Sequence, residues 1–324
     1  MIMIAEMRQL VTMMKLGEVQ SHGAMSVIPI FNPLLGGPEY LILSDAARNK
    51  RINICEVSDG GIVSKAKVIN EEIHPLLLVE GEEIKGAKQN RIINATVLAE
   101  SGKVTFIPVT CVEQGRWSSN PQNFDDSESM LPPTMREKVK KMVHSSLHTK
   151  GERGTDQWSV WEDVACYHDM YDVSSPTMAL QDVYVKEKKS IEEYLKDFHL
   201  HPMQTGMIVL FNGKVAGIDY FSQDKAFAES FPKLIRSYAL EAMRMKDEKS
   251  DDKELDAARD FLKGLEEAKM ERYPSEGLGD EWRFEDDKMT GSSLWYQGVC
   301  IHLSVLTSRS ESVRPRRESF HDIW

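Results

Sequence analysis

The stretch Glu80-Gly81-Glu82-Glu83-Ile84-Lys85-Gly86-Ala87-Lys88-Gln89-Asn90-Arg91 gathers three carboxylates, two lysines, one arginine and two carboxamides within twelve residues. Its two glycines allow a tight turn or a close approach of backbone to a ligand. A plain connection between strands needs only a few polar residues, so this one is over-equipped for turning. Lys88 and Arg91 suit a phosphate or a carboxylate, the arginine through its planar fork. Gln89 and Asn90 offer donors and acceptors that fit a base or sugar edge. Glu82 is a candidate acid or base. The competing reading is a solvated loop with internal ion pairs, and composition does not separate the two.

A second dense stretch runs Pro108-Val109-Thr110-Cys111-Val112-Glu113-Gln114-Gly115-Arg116-Trp117. Alternate side chains of a strand share a face, so Ile107, Val109, Cys111 and Glu113 line one side. A carboxylate ending an apolar face is expected to be partly desolvated with a raised pKa, which suits a general acid or base. Cys111 has no local cation to activate it and reads as a small core hydrophobe. Arg116 and Trp117, after Gly115, suit a clamp and a stacking surface for a planar anion; the alternative is a strand-end tryptophan covering the core. Counting back from Gly102 gives thirteen residues to Gln89 and eleven to Glu113. Under hairpin pairing the two stretches then meet at one end of paired strands, with Arg91 and Glu113 facing one concavity.

The elements that must hold these residues follow from periodicity. From His22 to about Trp117, short apolar runs (SVIPIF, YLIL, RINICEV, HPLLLVE, RIINATVLAE, KVTFIPVTCVE) alternate with Gly- and Asp-rich punctuation, a β pattern. The last two runs read as a hairpin through Ser101-Gly102, and the polar stretch from Ser118 to Pro133 as a loop. Helical spacing marks Met135–His148, Asp156–Tyr171 (capped by Thr155) and 185–198. Asn212-Gly213 predicts a hairpin in MIVLFNGKVAGIDYF, followed by a long helix with Phe231, Leu234, Ile235, Tyr238, Ala239 and Ala242 on its apolar stripe. SSLWYQGVCIHLSVL reads as a strand pair. The fold class is α+β, with a β-rich part 21–117 and a helical and mixed part 134–305. An N-terminal helix within 1–20 buries Met7, Leu10, Val11 and Met14, an acidic helical segment spans 247–287 with a seam of Leu255, Ala258, Leu262 and Leu265, and 306–324 is a basic tail.

Several chemistries find no support. The four cysteines include no CxxC pair, there is no HExxH, and no metal or cofactor is expected. Cys300 and His302 read as core residues, Asp219 as a second acid or a strand-end partner, and Ser175-Pro176-Thr177 as a loop. GxGxxG and GxxxxGK[ST] are absent. A net charge of −11 disfavours extended nucleic acid and anionic membranes as partners. No run approaches the ~18 apolar residues of a membrane span, and the chain reads as cytoplasmic. The acidity is local: residues 247–287 hold 16 acidic against 7 basic side chains, and residues 1–120 hold 13 against 12. A nearly neutral N-terminal part leaves room for a small anionic ligand.

GEEIKGAKQNR and IPVTCVEQGRW together resemble the signature of the ADP-ribosylglycohydrolase- and rhodanese-phosphatase-associated protein domain family. The likeness extends to LSDA at 43–46, TDQWSVW at 155–161, SSPT at 174–177, FNGKVAGIDYF at 211–221 and LIRSYALEA at 234–242, about residues 20–305 in all. It implies an association with ADP-ribose-processing enzymes and no catalytic residue. Two functions stay open. One is binding and hydrolysis of an ADP-ribose- or nucleotide-like anion, with Glu113 or Glu82 as acid/base and Lys88, Arg91 and Arg116 as clamps. The other is a non-catalytic sensing or scaffolding module.

Overall fold

The structure, a computed structural model, describes residues 2–33, 36–48, 51–117, 123–248 and 253–308. The N-terminal half builds a closed barrel. Among the described residues its strands run in the order Lys103–Cys111, Lys65–Asn70, Ile52–Glu56, Asn123–Met130, Glu82–Gly86 and Arg91–Ile93. Closure leaves no free sheet edge. Ile54, Ala66, Val68, Ile84, Ile93, Ile107 and Val109 fill the interior, and Leu76, Leu78, Val97 and Ala99 of a small flanking sheet join the same core.

The remaining strands form a nine-stranded antiparallel sheet among the described residues. Its central strands, Met25–Phe31, Gly206–Phe211, Lys214–Phe221 and Val299–Thr307, are apolar on both faces because helices cover both. Met25, Val27, Met207 and Val209 pack with Phe227, Phe231, Leu234 and Ile235 of the helix Asp224–Ala242. Ile28, Ile30, Ile208 and Leu210 alternate with them and meet Met7, Leu10 and Val11 of the helix Ile2–Met13 and Ala258, Leu262 and Leu265 of the helix Glu254–Glu267. Asn212 and Gly213 form the expected turn, with φ of 47° and 75°, as a type I′ turn requires. The strand pair of SSLWYQGVCIHLSVL turns in the same way at Gln297 and Gly298, with φ of 52° and 77°.

Five expectations are corrected. Val97–Ala99 leaves the supposed hairpin through Ser101-Gly102 and pairs with Leu76–Leu78. Lys103–Cys111 is shared instead between Lys65–Asn70 and Arg91–Ile93, the stagger that lets a barrel close. The polar stretch after Ser118 is not a loop where it is described: Asn123–Met130 is a barrel strand, its inward polar groups satisfied by partners such as Lys233 on Asp126. The helical region 185–198 is two helices, Leu180–Lys186 and Lys188–Asp197. Asp156 caps Gln157–Met170, accepting from the Trp158 and Ser159 N–H groups at 3.1 and 3.4 Å. Thr155 instead hydrogen-bonds Thr110. Among its described residues the acidic segment 247–287 is helical only over Glu254–Glu267 and continues as strands Glu271–Pro274 and Asp280–Glu285. The basic tail lies outside the described residues beyond Ser308.

Charge joins two layers, the helix Pro133–Lys150 and the large sheet. Arg136, on the helix Pro133–Lys150, donates through both terminal nitrogens to Asp219, and Tyr238 Oη donates to the same carboxylate at 2.9 Å. Burial alone would push Asp219 up, but Arg136 outweighs it and holds the carboxyl below its usual range. Asp219→Asn or Arg136→Met should each cost about 3–5 kcal/mol in urea denaturation, because the remaining partner is left buried and unpaired. The double variant should recover much of that loss. A cost under about 1 kcal/mol for either single change would show that the pair does not hold the layers together.

Candidate functional site

Register brings the two dense stretches together at one end of the barrel. Cys111 pairs with Arg91 and Thr110 with Ile92, and Val112 N–H donates to the Asn90 carbonyl at 3.0 Å. Continued by two residues, this register sets Gln89 opposite Glu113, as the count from Gly102 expects. Asn90 N–H donates to Glu113 Oε2 at 2.9 Å. The preceding turn needs its glycine: Gly86 has φ of 111°, and a Cβ there would stand 2.8 Å from the Asn123 carbonyl oxygen. Gly86 N–H donates to Asn90 Oδ1 at 3.1 Å and ties the turn to the site.

Glu113 is gripped rather than left to desolvation. Arg116 donates to its two oxygens at 2.9 and 2.6 Å. The same guanidinium reaches the Ala87 carbonyl at 2.8 Å, the Gly86 carbonyl at 3.2 Å and Asn90 Oδ1 at 3.0 Å. Burial pushes Glu113 up, but hydrogen bonds from Arg116, the Asn90 N–H and Thr177 more than offset it, and its pKa lies below the ordinary carboxylate value. This is the opposite of the shift expected from the apolar strand face.

The raised carboxyl is Glu83. Burial lifts its pKa to about 8, against the hydrogen bonds from Ser127 and Asn90. Asn90 Nδ2 donates to Glu83 Oε1 at 3.2 Å. One asparagine therefore holds two carboxyl groups, one neutral and one ionised at pH 7. Pairs whose surroundings push their pKa values apart can divide acid and base roles between them.

The other expected residues separate. Arg91 is fully buried, donates to Glu56 Oε1 at 2.7 Å and to the carbonyls of Ile62 and Lys65, and lies 5.2 Å from the Phe124 ring. Its fork serves the barrel, and Glu113 takes Arg116 instead. Glu82 points to Lys233, at 2.9 Å, and does not join Glu113. Gln89 Nε2 donates to the Gln114 carbonyl at 3.5 Å. Lys88 Nζ lies 5.4 Å from the centroid of the Trp117 ring, which is 50% exposed. The site thus assembles Glu83, Lys88, Gln89, Asn90, Glu113, Arg116 and Trp117.

Residues beyond the two stretches complete it. Gly115 N–H donates to the Thr177 carbonyl at 2.8 Å, and a Cβ on Gly115 would come 2.9 Å from Thr177 Cα. Leu180 N–H donates to the Val112 carbonyl at 3.0 Å, so the SSPT segment lies directly along the strand end. Gln157 pairs with both backbone groups of Cys111, at 3.0 and 2.8 Å. Burial lifts the Cys111 thiol to about 11, the inert state expected of a core cysteine. Among the described residues no group of three or more His, Cys, Asp or Glu side chains is placed to hold a metal ion. No described helix is long and apolar enough to cross a membrane.

Residues 13–306 match the family model of the ARG and Rhodanese-Phosphatase-superfamily-associated Protein domain, ARPP-1. No curated protein and no solved structure matches the chain.

The shift of Glu83 sets a pH dependence. Its folded pKa of about 8 exceeds the ordinary value of ~4.3, so the folded state holds the extra proton between them. Its stabilising contribution is full below the unfolded value and falls as pH rises toward the folded one. Glu83→Gln keeps the neutral shape and should remove that slope. Its melting temperature relative to the unsubstituted chain should rise from pH 5 to pH 8, and parallel profiles would refute the assignment.

Proposed function

The chain belongs to the ARG and Rhodanese-Phosphatase-superfamily-associated Protein domain family, and we propose that its barrel mouth binds a planar, anionic small molecule of the nucleotide or ADP-ribose class. The observation that carries this reading is the half-exposed Trp117 ring beside Arg116, with the buried Lys88 ammonium 5.4 Å from its centroid. An aromatic face accepts a base, and a neighbouring ammonium accepts a phosphate. Gln89 and Asn90 supply polar edges for a base or sugar. The family name, which links the domain to ADP-ribosylglycohydrolase and rhodanese-phosphatase proteins, supports the choice of ligand class.

A second reading adds hydrolysis, and the Asn90 bridge between Glu83 and Glu113 favours it. Glu83 carries a proton to give a leaving group, and ionised Glu113 supports a water or a developing positive charge. Glu82 takes part only behind the site, through the strand it shares with Glu83. The sensing or scaffolding reading needs the same ligand and no turnover.

Calorimetry with ADP-ribose, NAD and simple nucleotides tests the shared premise. Trp117→Ala should weaken binding about tenfold or more, since stacking on an aromatic is worth about 1–3 kcal/mol per base. Lys88→Ala should weaken phosphate-bearing ligands more than nucleosides. No binding of any of these ligands to folded protein would overturn the reading. Mass spectrometry of the bound ligand then separates hydrolysis from sensing: turnover lost in Glu113→Gln and Glu83→Gln supports hydrolysis, and turnover unchanged in both removes the pair from it.

A further inference from the structure

A second concavity lies on the seam between the barrel and the large sheet. A cleft of about 440 Å³ opens between the helix Leu43–Arg48, the strand Asn123–Met130 and the helix Asp224–Ala242, and its charged lining is Arg48, Asp126, Glu128, Glu229, Lys233 and Arg236. Seams between structural units are common ligand sites. None of the residues of the barrel mouth lines this cleft.

Its charges are sorted by depth. On the floor, Lys233 Nζ sits 2.8 Å from Asp126 and 2.9 Å from Glu82 behind it, with every one of these side chains at most 5% exposed. One ammonium against two carboxylates makes the floor an acceptor of positive charge. Burial raises the pKa of Glu82, and Asp126 adds to that rise, while Lys233 lowers it. At the rim, Arg48 and Arg236 are 68% and 30% exposed. They are held by Glu229 at 3.2 Å and by Glu128 at 3.8 Å, contacts of the weak, exchangeable surface kind. The rim is strained as well. Glu128 has φ of 61°, at the place where the strand register slips between Asp126 and Met130. A non-glycine residue there costs about 1–3 kcal/mol, and the Glu128 N–H donates to Asp126 Oδ1 at 2.9 Å. The Glu128 carbonyl accepts from Arg236 at 3.1 Å.

We propose that this cleft binds a small amino-carboxylate zwitterion, of amino-acid to dipeptide size, with its ammonium on Asp126 and its carboxylate on the rim arginines. A purely anionic ligand would take the arginines and leave three cleft carboxylates facing it. A purely cationic ligand would leave the rim arginines unused. A zwitterion meets both: its ammonium joins the one lysine shared by two floor carboxylates, its carboxylate takes the arginines, and the released Glu128 and Glu229 lie at the exposed rim, where water solvates them. The depth order of the charges fixes its direction, ammonium inward and carboxylate outward.

The test uses the full chain in thermal-shift and calorimetric titrations with individual proteinogenic amino acids and glycine-containing dipeptides. One of these should raise the melting temperature, since a ligand of the folded state stabilises it by mass action. Arg48→Ala and Arg236→Ala, both at the exposed rim, should each weaken that ligand about tenfold, roughly 1.4 kcal/mol. Trp117→Ala should leave it unchanged, which separates this site from the barrel mouth. The N-acetylated and carboxamide forms of the same ligand should lose binding. Overturning results are no binding by any probe, binding indifferent to both arginine changes, or undiminished binding of the acetylated form, which would mark a plain anion site.

Discussion

Charges buried on one face of the helix Pro133–Lys150 hold the two halves of the molecule in a fixed relation. Arg136 and Lys140, four residues apart, both point inward and are nearly inaccessible. Opposite them, register sets Asp219 beside Ser304, Ser304 beside Ser292 and Ser292 beside Arg283, a polar row across four strands of the large sheet. Arg136 reaches Asp219 and Ser304, and Lys140 reaches Ser292 and Glu80. Glu80 lies two residues before the barrel strand Glu82–Gly86. Arg283 and Arg153 both reach Glu281 and lengthen the row. An ion taken out of water is tolerated only with its partner in place. Sliding one layer over the other by a single residue would set these charges against apolar side chains.

That constraint reaches the barrel mouth through a short path of backbone. Gly81, with φ of 86°, lets the chain pass Arg136: a Cβ there would stand 3.1 Å from Arg136 Cγ. Two residues on, Glu83 faces Ser127 and Asn90, and five beyond that the buried Lys88 brings its ammonium to 5.4 Å from the Trp117 ring centroid. The dense polar stretch is therefore neither a solvated loop nor wholly a ligand loop. Glu80, Glu82 and Arg91 turn inward to ion pairs that position strands, and Glu83, Lys88 and Asn90 face the candidate site. Its surplus of charge divides between structural ion pairs and the candidate site.

Much of the architecture is legible in the sequence where one local signal dominates. Asn212-Gly213 specifies its hairpin through φ, and Met7, Leu10, Val11 and Met14 mark a buried helix face by spacing alone. The meeting of Gln89 with Glu113 also follows from counting, although the hairpin assumed for it does not form. Counting lands on it because the partner-number sum is constant along the ladder of Arg91–Ile93 with Val109–Cys111, and its continuation meets Gln89 and Glu113. What is not legible depends on distant partners. Asn123–Met130 reads as a loop because its buried Asp126 and Ser129 look unpayable until Lys233 and Gln181 are known to meet them. Glu83 and Glu113 are both glutamates near apolar strands, and only the arrival of Arg116 and Thr177 at Glu113 decides which carboxyl stays ionised. Thr177 carried a signal in the family-like SSPT, but its contact with Gly115 is tertiary.

The state of Arg116 bears on what kind of ligand a barrel mouth of this design selects. Its three guanidinium nitrogens all donate, to Glu113, to Asn90 and to two carbonyls. A guanidinium so engaged has no free fork with which to grip a phosphate edge-on, which favours the stacking half of the role expected of it over the clamp. What it retains is a fixed positive plane, and Trp117 next in sequence adds a half-exposed aromatic one. Planes recognise planes: stacking and cation–π contact need no vacant hydrogen bond and lose little side-chain entropy when the surface is already held rigid. For the proposed ligand the Lys88 ammonium, beside the Trp117 ring, is then the group left to meet a phosphate as a point charge. On the proposed reading, selectivity for a planar anion comes from the very ion pair that keeps Glu113 charged, and the same contacts that shape the barrel end decide what it can hold.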